Sequence, residues 1–261
     1  MNDYDSLARI YDRLQASDAA ERLAAHAADL VASFCRPASG RGDGRDGRLL
    51  LLDLGCGTGS FCRHMAATGF DVIGIDASEG MLHQATETVA ADGPDILYLR
   101  QDITRFELFG TVDAICCLTD TVNHVTDQAS LRRMLRLCRQ YLNLGGVLVF
   151  DVATRRHFAR RLGDRLLYEV SYDAVLLWKN RFSEATGRNV ADIVLFSRES
   201  DGTWSRGDEC IRERAYDRRT LSAMLKEAGF DRTQVLDAFR LGPPGPAAER
   251  LFYVATRDSA P

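Results

Sequence analysis

The sequence predicts a doubly wound α/β fold that carries a second, antiparallel sheet. Between residues 49 and 152, continuous apolar stretches alternate with amphipathic ones, the pattern of parallel strands covered by helices on both faces. Three glycines follow the first apolar stretch within five positions, in "LLLLDLGCGTGSF" (49–61), where a backbone is built for close approach by a ligand. After Asp151 the pattern switches to alternating residues punctuated by turns, and then returns to one helix and two strands.

Each element follows from a local signal. "YDSLARIYDRL" and "DAAERLAAHAADLVASFC" carry apolar residues at helical spacing and predict two N-terminal helices. "RPASGRGDGRDGR" (36–48) reads as a mobile Gly/Arg/Asp linker. Strand "LLLLDL" is followed by the glycine loop and a helix running through Ala66. Strand "DVIGID" (71–76) precedes helix "SEGMLHQATETVA", which begins at Ser78, a side chain suited to capping the first helical amides. Strands "ILYLRQD" and "VDAICCL" (112–118), helix "DQASLRRMLRLCRQYL" and strand "GGVLVFDV" (145–152) complete the alternation. A basic helix "TRRHFARRLG" then leads into a meander of about three strands, with turns at "ATGRN" and "SDGTW". Helix "DRRTLSAMLKEAGF", closed by Gly229, strand "TQVLDAF" and strand "RLFYVATR" end the pattern.

Composition narrows the function. The 261 residues have 46% hydrophobic and 27% charged side chains and a formal net charge of −4, ordinary for a globular protein and against general capture of nucleic acid. The opening "MNDYDSLARIYDRLQ" lacks the apolar core of a signal peptide, and no apolar run reaches the roughly 20 residues needed to span a bilayer. Seven cysteines (35, 56, 62, 116, 117, 138, 210) without a C-x-x-C pair read as reduced, mostly buried thiols of a cytoplasmic protein. The five histidines (26, 64, 83, 124, 157) form no H-x-x-x-H pair, so no metal site is expected.

The glycine loop discriminates among ligands. A dinucleotide loop needs G-x-G-x-x-G, and Ser60 stands where the third glycine belongs; a phosphate loop needs G-K-[ST], which is missing. The D-L-G-C-G-T-G spacing suits S-adenosylmethionine (SAM), whose amino-acid end lies against bare backbone. Asp53 at the strand end is expected to orient loop amides and complement the ammonium. Asp76 ends the second strand, placed to accept from the ribose hydroxyls, although the same position also suits a nicotinamide cofactor. Asp102 ends the third strand, suited to the adenine amino group, with Met81 and Ile103 sandwiching the ring.

At this point the chain resembles a known family. "LLDLGCGTG", "VIGIDASEGML", "LRQDITRF", "VDAICCLTDTVNHV" and "LNLGGVLVFDV" are similar, in order, to the successive motifs of class I SAM-dependent methyltransferases. "YDSLARIYDRL" resembles the Y-D-x-x-A-x-x-Y-D opening of a bacterial small-molecule methyltransferase group, and the meander and the ending "AERLFYVATR" resemble the same group; related architecture occurs in sugar N-methyltransferases of antibiotic pathways. The resemblance implies a seven-stranded Rossmann-like sheet of order 3-2-1-4-5-7-6 with the last strand antiparallel. It also implies N-terminal helices (1–36) closing over the cofactor, a flexible linker (37–48), a SAM-binding core (49–153 and 216–261) and a cap (154–215) shaping an acceptor pocket. The expected SAM contacts are Tyr11, Asp53, Gly55, Cys56, Gly57, Gly59, Asp76, Ala77, Met81, Asp102, Ile103 and Leu118, with S-adenosylhomocysteine (SAH) as product.

One departure stands out. Relatives often read C-[FY]-D-S-[LI]-N-Y-[LI] after the fourth strand; here the stretch is "CLTDTVNHV", with His124 in place of an aromatic hydroxyl. His124 is a candidate general base, since it titrates near neutrality, and otherwise a loop histidine bonded to backbone. Tyr4, Asp120, Asn123, Tyr172 and Trp178 are candidate substrate contacts, while Tyr4 and Tyr11 at i, i+7 also fit a packed helix face. Arg155, Arg156, Arg160, Arg161 and Arg165 read as a solvated helix face or an anion-binding patch. The expectation is a cytoplasmic methyltransferase, monomeric or homodimeric, acting on a nitrogen or oxygen of a small molecule, with no membrane or nucleic-acid partner. A tRNA or rRNA methyltransferase, a nicotinamide dehydrogenase and a non-catalytic SAM-binding protein are the competing readings.

Overall fold

The structure, a computed structural model, describes residues 8, 11–12, 17–36, 45–89 and 93–259. Tyr4, most of the first expected helix and residues 37–44 of the expected linker lie outside the described residues.

Among the described residues seven strands form the main sheet. They are β1 (Leu50–Leu54), β2 (Asp71–Asp76), β3 (Leu97–Arg100), β4 (Val112–Cys117), β5 (Leu142–Ala153), β10 (Arg232–Asp237) and β11 (Arg250–Arg257), in the order β3-β2-β1-β4-β5-β11-β10. β1 to β5 pair in parallel, whereas β11 runs antiparallel to both of its neighbours, β5 and β10. This is the seven-stranded order that the resemblance implied.

The buried strands alternate between two cores, as a period-two side-chain pattern requires. Leu51, Val147, Val149, Phe252 and Val254 face α1 (Asp18–Phe34) and α2 (Ser60–Ala67). Leu52, Leu54, Leu148, Phe150 and Tyr253 face α5 (Gln128–Tyr141) and α7 (Arg218–Glu227) on the other side. The helices start where polar caps satisfy otherwise orphaned amides: Ser17 accepts from Ala20 N, Ser78 from Met81 N at the head of α3 (Glu79–Glu87), and Asp127 from Ser130 N. Gly229, at φ +90°, closes α7.

Between β5 and α7 the chain builds a second sheet. A short helix α6 (Arg155–His157) continues as a π-helical turn (Phe158–Leu162) and leads to β6 (Leu166–Val170), β7 (Ala174–Ser183), β8 (Arg188–Arg198) and β9 (Trp204–Arg214), an antiparallel meander. The meander has four strands rather than about three. "LLYEVSYDAVLLWKNRFSE" breaks at residues 171–173, where the Ser171 hydroxyl takes the Ala174 amide and turns the chain back. The cap is anchored to the core by α4 (Thr121–His124), a one-turn helix that packs against both β5 and β9.

Candidate active site

Two cavities of about 300 and 490 Å³ open at the carboxyl ends of β1, β2 and β4, where ligands of such sheets sit. Both are lined by Tyr11, Gly55, Gly57, Thr119 and Thr121, so they are two lobes of one groove that meet at the glycine loop. Asp76, Ala77, Met81, Asp102 and Ile103 line one lobe, with His124 at its far side. Asp53, Cys56, Thr58 and Leu118 line the other.

The glycines are required by conformation as well as by space. Gly55, Gly57 and Gly59 have φ of +73°, +52° and +74°, the left-handed region that L side chains rarely adopt. A Cβ at Gly55 would run into the Thr121 side chain, and one at Gly59 into Tyr98. At Gly57 the space is open toward the groove, and Tyr11 is the nearest neighbour at 3.9 Å.

The loop is tethered by β2. The Gly55 and Cys56 amides donate to Ile75 O at 2.7 and 3.0 Å. The Gly57 amide donates to Asp76 Oδ2 at 2.9 Å, and the Ser78 amide to Asp76 Oδ1 at 2.8 Å. These bonds correct the role expected for Asp53, because Asp76 and the Ile75 carbonyl hold the loop amides. Burial pushes the Asp76 carboxyl above its ordinary value, against the Ser78 and Gly57 amides, which draw it down.

Asp53 lies beneath the loop, 2% exposed, and accepts from Cys62 Sγ at 3.2 Å. Burial pushes its carboxyl up to about 7, with the Cys62 bond opposing and the Asp76 charge adding. Asp102 reaches the lobe lined by Asp76 and Met81 but turns its carboxylate into its own turn. Oδ1 accepts the Thr104 amide and hydroxyl, both at 2.8 Å, and Oδ2 pairs with Arg105 at 3.0 Å. Burial works against ionisation there, yet the Thr104 bonds and Arg105 outweigh it and hold the carboxyl below its ordinary value.

Beyond β4, Thr119 and Asp120 both sit in the left-handed region, at φ +58° and +64°. This strain is held by an ion-pair cluster that no local signal announces. Arg250 of β11 donates to Asp120 Oδ2 at 2.7 Å and to Asp151 Oδ2, while Asp151 Oδ1 accepts the Thr119 amide at 2.5 Å. Burial opposes both charges; the guanidinium holds Asp120 below its ordinary value, while Asp151, fully enclosed beside Asp120, is pushed up. Asp12 is a second group that the sequence reading missed: it accepts from the Thr58 hydroxyl and faces Arg63 at 3.9 Å, tying the N-terminal segment to the loop.

His124, on α4, lies within electrostatic reach of three carboxyl groups. An imidazolium there would lower the pKa of Asp76, of Asp120 and of Glu213, the last a buried residue of β9. Three of the expected substrate contacts line neither lobe. Asn123 is fully buried and spends its amide on backbone, with Nδ2 donating to Ala153 O at 3.1 Å and Arg214 O at 2.8 Å and Oδ1 accepting the Ala153 amide at 2.9 Å. It stitches α4 to β5 and β9. Trp178 packs on the cap's own apolar cluster and donates Nε1 to Asn180 at 3.2 Å. Tyr172 is 81% exposed, with the Arg198 guanidinium over its ring at 4.6 Å. Asp120, between the groove residues Thr119 and Thr121, is held as the partner of Arg250.

Comparison with known proteins places this geometry. Residues 51–146 match the description of a methyltransferase domain. The chain is 30% identical over 208 residues to the putative methyltransferase YqeM of Bacillus subtilis, covering 79% of this chain and 83% of that protein. The chain belongs to the class I SAM-dependent methyltransferase family. This methyltransferase also shares its fold with a SAM-dependent methyltransferase from Clostridium acetobutylicum (TM-score 0.79, 23% identity, 98% and 99% of the two chains covered). A further match is the SAM-bound amino pentose methyltransferase CalS10 of Micromonospora echinaspora (TM-score 0.67, 21% identity, 98% and 99% covered). SAM is therefore the methyl donor of the methyltransferase, and the open approach at Gly57 beside the fixed Asp76 carboxylate fits it. No helix among the described residues is long and apolar enough to cross a membrane.

Proposed function

We propose that this methyltransferase moves the methyl group of SAM to a nitrogen or oxygen of a small molecule held between the glycine loop and the cap. The observation that carries the reading is the position of His124, which lines the same lobe as Asp76 and Asp102 while α4 packs against the cap strand β9. When bound, SAM supplies an electrophilic methyl on a cationic sulfur; transfer forms a carbon–nitrogen or carbon–oxygen bond, breaks the carbon–sulfur bond and leaves its electron pair on sulfur as SAH.

The residues of the chain do the rest. Asp76, fixed by two amides, is assigned to the ribose hydroxyls. Met81 and Ile103 are assigned to the faces of the adenine, with Asp102 at its edge. Asp53 and the open backbone at Gly57 are assigned to the amino-acid end. Tyr11, Cys56, Ala77 and Leu118 complete the walls, and the cap excludes water. His124 is assigned as the base that takes the acceptor's proton.

An RNA acceptor would draw on the arginine helix. Arg155 and Arg161 there pair with Asp217 at 3.1 Å and Glu249 at 2.8 Å, which supports a small acceptor instead. Titration calorimetry with SAM and SAH tests the reading. Binding that the Asp76→Ala variant weakens about 100-fold is expected, from the loss of two hydroxyl–carboxylate bonds at about 1.5 kcal/mol each. A folded protein that gives no heat with either compound refutes it.

A further inference from the structure

The inner face of the cap changes character along its length. It is apolar at Ala174, Leu176, Ala191, Ile193, Leu195 and Ile211, and it turns polar near the core at Asn180, Asn189 and Glu213. These three side chains are 1%, 1% and 6% exposed. Asn189 and Glu213 are directly opposed across β8 and β9, and one chain of hydrogen bonds joins the group. Asn189 Nδ2 donates to Glu213 Oε2 at 3.0 Å and to Asn180 Oδ1 at 3.1 Å, and Trp178 Nε1 donates to the same Asn180 oxygen at 3.2 Å.

That chain fixes the orientation of both amides, since turning either one would set donor against donor or acceptor against acceptor. It also leaves Asn180 Nδ2 and Asn189 Oδ1 buried without a partner, and Asp120 Oδ1 is in the same condition. Buried polar atoms are paired in nearly all native cores, so a cluster that orients itself internally yet holds one acceptor and one donor in reserve, with a further acceptor at Asp120, calls for a ligand. Asn123 bonds to Arg214 O, one residue beyond Glu213, and this draws the end of β9 onto α4 beside His124.

We propose that the Asn180–Asn189–Glu213 end of the cap is the acceptor subsite and that it recognises a protonatable amine. Glu213 supplies the counter-charge, Asn189 Oδ1 and Asp120 Oδ1 accept N–H donors, and Asn180 Nδ2 donates to a hydroxyl or carbonyl on the same molecule. An alcohol brings a single donor and no charge, whereas an ammonium brings three donors and offsets a carboxylate taken out of water. Burial already pushes the Glu213 carboxyl up, so a cation arriving there restores a charge that the ligand-free protein disfavours. The assignment rests on the methyltransferase reading above.

The test uses the full chain saturated with SAH and matched probes, glucosamine against glucose and benzylamine against benzyl alcohol, with binding followed by saturation-transfer NMR and calorimetry. The amine of at least one pair is expected to bind at least about tenfold more tightly than its alcohol. Glu213→Gln should weaken that binding about 10- to 100-fold, and Glu213→Asp should retain part of it. SAM affinity, unchanged in both variants, certifies that they are folded. The absence of amine preference in both pairs, or a preference that survives Glu213→Gln, overturns the proposal. If SAM itself fails to bind, the underlying methyltransferase reading falls; if SAM binds and amines are not preferred, only the subsite falls.

Discussion

Asp53 should make the ligand-free protein less stable as pH rises, and replacing it should remove that contribution. Its carboxyl lies enclosed beneath the glycine loop, and burial raises its pKa to about 7. In the unfolded chain an aspartate titrates near 3.9. Between these values the folded chain keeps the proton and the unfolded chain has released it. The stabilising contribution is therefore complete below about pH 4 and is lost progressively as pH rises through about 7. The values differ by about three pH units, each worth about 1.36 kcal/mol, so the ionised side chain costs the folded state about 4 kcal/mol at pH 8. Asp53→Asn removes the charge and keeps the shape. Its benefit at pH 8 is expected to be about 2–3 kcal/mol, because the amide still costs desolvation and the Cys62 bond weakens. Urea unfolding of both proteins at pH 5 and pH 8, without ligand, reads this directly. A burdensome charge of this kind is retained where function needs it. If the ammonium of SAM is what Asp53 meets, binding below pH 7 should release a proton, visible as a buffer-dependent heat. The reasoning is refuted if the substitution shifts stability equally at both pH values, or destabilises more at pH 8 than at pH 5.

Other outcomes follow from the same geometry. Gly57→Ala should cost about 1 kcal/mol of stability from its positive φ, while SAM affinity falls at least about tenfold; Gly69→Ala, at φ +97° in open space, should carry a similar strain without touching affinity, and calorimetry beside thermal unfolding separates the two. Arg250→Met should destabilise by about 3–5 kcal/mol by leaving Asp120 and Asp151 enclosed without their cation, read as a large drop in melting temperature. His124→Ala should lower the turnover number about 100-fold or more with an acceptor that must lose its proton, and leave SAM binding intact; an unchanged turnover number removes the base assignment.

Some of the site is written in short stretches, because short stretches carry its chemistry. The glycine loop needs positive φ at three places, Asp76 takes amides two residues ahead and nineteen behind it, and Ser78 caps the helix it begins. Those constraints act within about one strand–turn–helix unit, so residue type and spacing suffice to find them. The cap's buried cluster also left a trace: Asn180, Asn189 and Glu213 extend the inward alternation of β7, β8 and β9 with polar residues where apolar ones would continue it. Alternation shows which residues share a face. It does not show which face is covered, and that is why Trp178 and Tyr172 were expected at the pocket and are found on the cap's own cluster and in solvent.

By itself, then, the sequence determined the sheet class, the loop and the carboxylates at the groove's edge, since hydrophobic period, glycine conformation and strand-end residues are local properties. Tertiary structure alone decided the rest. Arg250 meets Asp151 and Asp120 across 99 and 130 residues because β11 inserts antiparallel beside β5, and Asn123 reaches Arg214 across 91 because the cap folds back onto α4. Such contacts depend on which elements become neighbours, and that is settled by burial of the whole chain rather than by any segment of it.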